Sequence, residues 1–158
     1  MLGASRITPF LWYATEAEDA ARFYTAIFRN SRIGAIARYP VGGPGPAGEV
    51  MTVEFEIEGQ SFIALNGGRQ DFQFNDAISF QIHCETQEEV DYYWERLAAG
   101  GTPVQCGWLK DKYGLSWQVV PRMLPELFLK DANTAGRVMQ AMLKMKKLDI
   151  RKLKEAAQ

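Results

Sequence analysis

Ile7-Thr-Pro-Phe-Leu-Trp-Tyr-Ala-Thr-Glu-Ala-Glu18 and Ile78-Ser-Phe-Gln-Ile-His-Cys-Glu-Thr-Gln-Glu-Glu89 are two versions of one local plan. In each, an alternating apolar run leads into Thr-x-x-Glu, the pattern of a capping box, in which Thr accepts from the third helical amide and Glu reaches back. The two Thr residues lie 71 positions apart (86 − 15), close to half of the 158-residue chain. A single box of this kind is common. Two of them, each between a strand pattern and an amphipathic pattern, point to duplication.

Working outward, the helix after Thr15 is expected to bury Ala20, Phe23, Tyr24, Ile27 and Phe28, and the helix after Thr86 to bury Val90, Tyr93, Trp94 and Leu97. Both sets have the i, i+3/i+4 spacing of one helical face. Strands are expected over 33–39, 51–57 and 62–66 in the first half, and near 102–105, 107–111 and 115–120 in the second. The Pro- and Gly-rich stretch 40–48 breaks regular structure and reads as a loop. Beyond Pro121 and Pro125 the chain turns helical, with Val138, Met142 and Met145 on one face and Asp149 placed to cap a last helix. The expected class is α+β: paired βαβββ modules, about 5–68 and 75–121, forming a half-barrel cleft, with a C-terminal helical extension over 122–158. All of 1–158 is read as a single domain.

Composition narrows the function classes. Hydrophobic residues make up 47% and aromatics 12%, enough for a substantial core. A net charge of −1 gives no general attraction to nucleic acid or anionic lipid. Apolar runs fall well short of the roughly 20 residues that cross a bilayer. Few residues precede the first strand pattern, so no secretory signal is expected. Cys84 and Cys106 make neither a disulfide framework nor a ligand cluster, which fits a reducing cytoplasm.

Strand alternation sorts side chains by face. Ile78, Phe80 and Ile82 are expected against the helices, leaving Ala77, Ser79, Gln81 and His83 for the cleft. By the 71-residue offset Thr8, Phe10 and Trp12 face it too. Taking Ile63 and Leu65 as helix-side leaves Phe62, Ala64 and Asn66 for the cleft. Taking Leu115, Trp117 and Val119 the same way leaves Ser116, Gln118 and Val120. Thr52 and Glu54 come from the third strand, and Trp108 can stack on a planar ligand. The expected cavity is aromatic with a few polar groups, as in small-molecule sites. His83, the only histidine, and Glu54 are the candidate acid/base groups. Lys144, Lys146, Lys147, Arg151, Lys152 and Lys154 read as the solvated side of a tail whose Met face packs on a second subunit.

Phe10-Leu-Trp-Tyr13, Ala17-Glu-Asp-Ala20, Phe23-Tyr24, Trp94-Glu-Arg-Leu97, Gly107-Trp-Leu-Lys-Asp111 and Gly114-Leu-Ser-Trp-Gln118 together carry a family resemblance. The chain resembles the vicinal oxygen chelate superfamily of glyoxalase I, bleomycin-resistance proteins and extradiol dioxygenases. More narrowly it is similar to the PhnB-like branch, labelled 3-demethylubiquinone-9 3-methyltransferase-like. Residues 142–150 are similar to that branch's C-terminal extension. The superfamily's metal positions would fall on Thr8, Ala64, Ala77 and Gln118, and only Gln118 among them is a chemically reasonable ligand. The expectation is therefore a cytoplasmic homodimer that binds a small aromatic molecule, with no metal and no cofactor. Two alternatives stand beside it: a metal-dependent lyase or dioxygenase with displaced ligands, and the methyltransferase that the branch label implies.

Overall fold

The computed structural model describes residues 6–158, so Ser5, the expected start of the first module, lies outside the described residues. The chain divides into two compact units, one up to Gln73 and one from Phe74 onward. The first unit runs β1 (Phe10–Tyr13), α1 (Ala17–Ile27), β2 (Ser31–Arg38), β3 (Val50–Ile57) and β4 (Gln60–Asn66). The second runs β5 (Ser79–Cys84), α2 (Gln87–Ala98), β6 (Thr102–Pro103), β7 (Trp108–Lys110) and β8 (Ser116–Pro121). Three helices follow: α3 (Leu124–Lys130), α4 (Ala132–Met142) and α5 (Ile150–Ala156). The sheet orders are β1-β4-β3-β2 and β5-β8-β7-β6, each with one parallel pair next to antiparallel ones. Both units are thus βαβββ modules of an α+β protein, as the duplicated pattern requires.

In the first unit α1 buries Ala17, Ala20, Ala21, Tyr24 and Ile27. They pack against β3, where Val53, Phe55 and Ile57 are buried, and Leu11 and Tyr13 of β1 are buried too, with Tyr13 Oη 3.3 Å from Tyr24 Oη. Tyr24, Phe55 and Phe62 form a stack with ring centroids 5.9 and 5.2 Å apart. That stack overturns the expected facing of β4. Phe62 and Ala64 are buried on the α1 side, 4% and 0% exposed, while Ile63 and Leu65 are paired with Phe10 and Trp12 on the other face. Phe62–Leu65 is a continuous apolar run in a central strand, so it has no alternation to read.

The two helix starts are not identical. Thr86 caps α2 by accepting from the Glu89 amide at 3.3 Å, and Glu89 accepts from the Glu85 amide at 2.7 Å. In the first unit the chain takes one more residue between strand and helix, so Glu16 occupies the cap position. Thr15 only donates its amide to the Glu16 carboxylate, and the Ala17 amide is accepted by Asn66 Oδ1 at 2.8 Å. The helices therefore start 70 residues apart (87 − 17), although the strands before them keep the 71-residue parity.

The second unit buries Val90, Trp94 and Leu97 of α2 against Leu109, Trp117 and Val119. Ile78, expected on that side, precedes β5 and is 70% exposed. The tail departs further from expectation. Val138, Met142, Leu148 and Leu153 close over Val120 and Leu124 in a core of their own, with Met145 packed against it. Asp131 and Asp149 cap α4 and α5. Gln87 fastens the tail to α2, donating to Leu148 O and accepting from the Ile150 amide, while Lys147 pairs with Asp91 at 2.8 Å. The Met face is covered within the chain, and Met142–Asp149 is not one helix.

Candidate functional site

On the face of the second sheet opposite α2, strand register sets residues in two rows. Trp108, Gln118 and Gln81 are lateral neighbours, and so are Lys110, Ser116 and Ser79. Gln81 Nε2 donates to Gln118 Oε1 at 3.1 Å, and Gln118 Nε2 donates to Ser79 Oγ at 2.8 Å. The three side chains form one directed chain, and each bond restricts the rotamers of two of them. Trp108 and Gln118 are half-buried, while Gln81 is exposed. Such an array offers a small molecule oriented amide and hydroxyl groups beside an indole.

Next to it, Ser116 is buried and donates to Asp76 Oδ1 at 2.8 Å, and Lys110 Nζ lies 3.3 Å from the same oxygen. The Ser116 bond, then Lys110, holds the Asp76 carboxyl below the usual carboxylate range. Ser116 is thus committed to Asp76. Asp76 precedes β5, outside any alternating pattern, so strand parity could not find it. His83 is exposed in β5 opposite Val120, and Val120 is covered by the C-terminal helices. Glu54 is half-buried in β3 opposite Ile63.

In the first unit the face opposite α1 carries Phe10, 55% exposed, and Trp12, 38% exposed, with Ile63 and Leu65 half-buried beside them. Trp12 Nε1 donates to Gly68 O at 2.9 Å, and Phe72 meets its ring edge-on at 5.3 Å. A Cβ at Gly67 would lie 2.2 Å from that ring, so only glycine lets the chain pass beneath it. Thr8 is half-buried before β1. Two expected cleft residues are placed differently. Phe62 belongs to the aromatic stack under α1. Asn66 commits its side chain to structure, accepting from Ala17 N and donating to Val50 O at 3.1 Å, while its main-chain oxygen accepts from Tyr39 Oη at 2.6 Å.

The first unit also has a pocket of about 590 Å³ where the 40–48 loop meets the start of α1. Tyr39, Pro44, Pro46 and Val50 line it together with Glu18, Asp19 and Glu49. A loop read only as a breaker gave no sign of it.

Paired βαβββ modules with this strand order define the vicinal oxygen chelate class. The model of the 3-demethylubiquinone-9 3-methyltransferase family matches residues 5–120, and the chain belongs to that family. Among solved structures it is similar to the PhnB protein of Bacillus cereus, with 38% identity, a TM-score of 0.67, and coverage of 74% of this chain and 99% of that one. A Pseudomonas aeruginosa protein shares the fold at 18% identity, TM-score 0.56, covering 73% of this chain and 96% of that one. The fosfomycin resistance protein FosX of Listeria monocytogenes aligns at 23% identity and TM-score 0.49, over 78% of this chain and 94% of that one. No curated protein matches. The family match ends at residue 120, so α3–α5 lie beyond it.

The superfamily's metal does not fit the residues at its expected positions. Ala64 faces α1, Ala77 has no donor atom, and the Gln118 amide is bonded to Ser79 and Gln81. Ile63 and Leu65, on the other face of β4, are hydrocarbon too. Among the described residues no group of three His, Cys, Asp or Glu could hold a metal ion. The Gly42-Gly43-Pro44-Gly45 run lies between β2 and β3, whereas a Gly-rich nucleotide loop leads from a strand into a helix.

Proposed function

We propose that the protein binds a small, flat aromatic molecule on the sheet face that carries Trp108, Gln118, Gln81 and Ser79. The observation that carries this reading is the directed Gln81–Gln118–Ser79 chain beside a half-buried indole. Apolar burial against Trp108 supplies affinity, at about 25 cal/mol per Å² removed from water. The amide row fixes orientation, because a ligand group left unmatched against it loses a hydrogen bond worth about 1 kcal/mol. His83, at the exposed end of β5, contributes a hydrogen bond. Phe10 and Trp12 offer a second aromatic surface, in the first module. The protein works without the superfamily metal, in the cytoplasm and as a homodimer.

A panel of aromatic metabolites, followed by tryptophan quenching and calorimetry, tests this. Replacing Gln81 and Gln118 together by Ala should weaken the best ligand by about tenfold or more, two hydrogen bonds' worth. Trp108→Ala should weaken it further, and His83→Gln by at most about tenfold. Full affinity in the double amide variant would remove the site from this face. A loss of turnover on a bound compound by about a hundredfold in His83→Gln, with binding retained, would instead make His83 a general acid/base.

A further inference from the structure

The two side-chain rows on the second sheet contain one charge, and that charge is answered. Lys110 is the lateral neighbour of Ser116 and, through it, of Ser79, so its side chain leaves the sheet on the face that carries Trp108 and Gln118. Its Nζ lies 3.3 Å from Asp76 Oδ1. The same oxygen accepts from Ser116 Oγ at 2.8 Å, and Ser116 is 1% exposed. An exposed ion pair by itself is loosely placed. Here a buried hydroxyl with no other way to spend its hydrogen fixes the carboxylate beside Lys110. Both contacts also keep Asp76 ionised. Asp76 thus sets a negative charge against the single positive one in the rows.

The rest of the array is uncharged and both gives and takes hydrogen bonds. Gln81 Nε2 spends one hydrogen on Gln118 Oε1 and keeps a second, while Gln81 Oε1 has no partner among the described residues. Ser79 Oγ accepts from Gln118 and keeps its own hydrogen to donate. Turning both amides over reverses the direction of the chain and still leaves donors and acceptors side by side. A neutral ligand group that donates and accepts meets all of this. A carboxylate only accepts, leaves an amide oxygen unmatched, and is repelled by Asp76 as well as attracted by Lys110. We propose that Asp76, by neutralising Lys110, makes this face select an uncharged aromatic carboxamide or lactam over the matching aromatic carboxylate. Asp76 is then a specificity-determining residue of the aromatic site proposed above, and the inference rests on the ligand lying there.

The test is calorimetric titration of the full chain, at low salt, with indole-3-carboxamide, indole-3-carboxylate and 3-(aminomethyl)indole, which share a ring and differ in charge. The parent should bind the carboxamide at least about tenfold tighter than the carboxylate, which leaves a hydrogen bond unmade and meets no net charge. In Asp76→Asn the side-chain oxygen still accepts from Ser116, but Lys110 is no longer neutralised. The preference for carboxamide over carboxylate should then fall about fivefold. Lys110→Met leaves Asp76 unanswered and should strengthen binding of the ammonium compound about fivefold. These opposite signs distinguish charge selection from disturbed packing. A uniform loss for all three ligands would overturn the inference, as would an unchanged preference in Asp76→Asn or a parent that binds carboxylate and carboxamide equally. In each of those cases the aromatic site itself survives. If the parent binds none of the three, the inference falls, and the site is then judged by the wider aromatic panel and the Gln81, Gln118 double variant.

Discussion

Asn66 ends β4, and its amide oxygen, amide nitrogen and main-chain oxygen each bond a different segment: the start of α1, the start of β3 and the end of β2. Asn66→Ala should destabilise the protein by about 1–3 kcal/mol, from the lost helix cap and an unpaired Val50 carbonyl. Asn66→Asp keeps the acceptor and should cost less. Urea midpoints measure both, and an unchanged midpoint in the Ala variant would deny Asn66 this part. Cys84 shows what burial does to a thiol. It is 1% exposed, and desolvation, helped by the nearby Glu89 charge, pushes it up to about 12. Native Cys84 should therefore resist alkylation at pH 8, while half-buried Cys106 reacts first; equal rates by peptide mapping would contradict this. Because the unfolded thiol ionises near pH 9, the stability that neutral Cys84 contributes is complete below that value and declines above it. At this scale the sequence disclosed little. The alternation that placed Gln81 and Gln118 on one face is a local signal. Asn66's three bonds join segments far apart in the chain, and no spacing rule reports them.

Helices and strands were legible because their signals are periodic and local. The faces of α1 and α2 follow from i, i+3/i+4 spacing, and Asp149 announces α5 as a cap should. The misread elements are those whose partner decides the face. Central β4 is apolar on both sides, and Val138 with Met142 could have met another subunit as readily as Val120. The second case has a direct test. Ending the chain at Pro121 would uncover Val120 and remove the core that α3–α5 build, so stability should fall on the order of several kcal/mol, at 1.5–3 kcal/mol per large apolar side chain. A raised affinity for a hydrophobic dye and a lower urea midpoint are the expected readings. An unchanged midpoint would mean that the tail is an appendage rather than part of the second module's fold.

For the molecule as a whole, duplication and fold class were readable from two matched segments, since both modules repeat the same strand order. At the superfamily's metal positions, Ala64 and Ala77 carry no donor whichever way they point, so their identity alone was informative. Assembly is less direct now that Met142 and Met145 of the tail are packed within the chain. The exposed apolar side chains of Phe10, Ile7 and Ile78 still leave surface for a second copy. Sedimentation should give about twice 17.8 kDa, and a monomer whose mass is independent of concentration would rule the dimer out. One more property belongs to this scale. β2 is an edge strand of eight residues, largely exposed, and its pairing with β3 slips between Ile33 and Ile36 and again at Ala37/Arg38. A straight strand of that length would be a template on which the same strand of other molecules could add, growing a fibril from folded protein. The two irregularities twist and shorten the run of regularly spaced donors and acceptors, and Arg32 and Arg38 place like charges along it. A change that straightened this edge should therefore make concentrated protein more prone to seed its own precipitation.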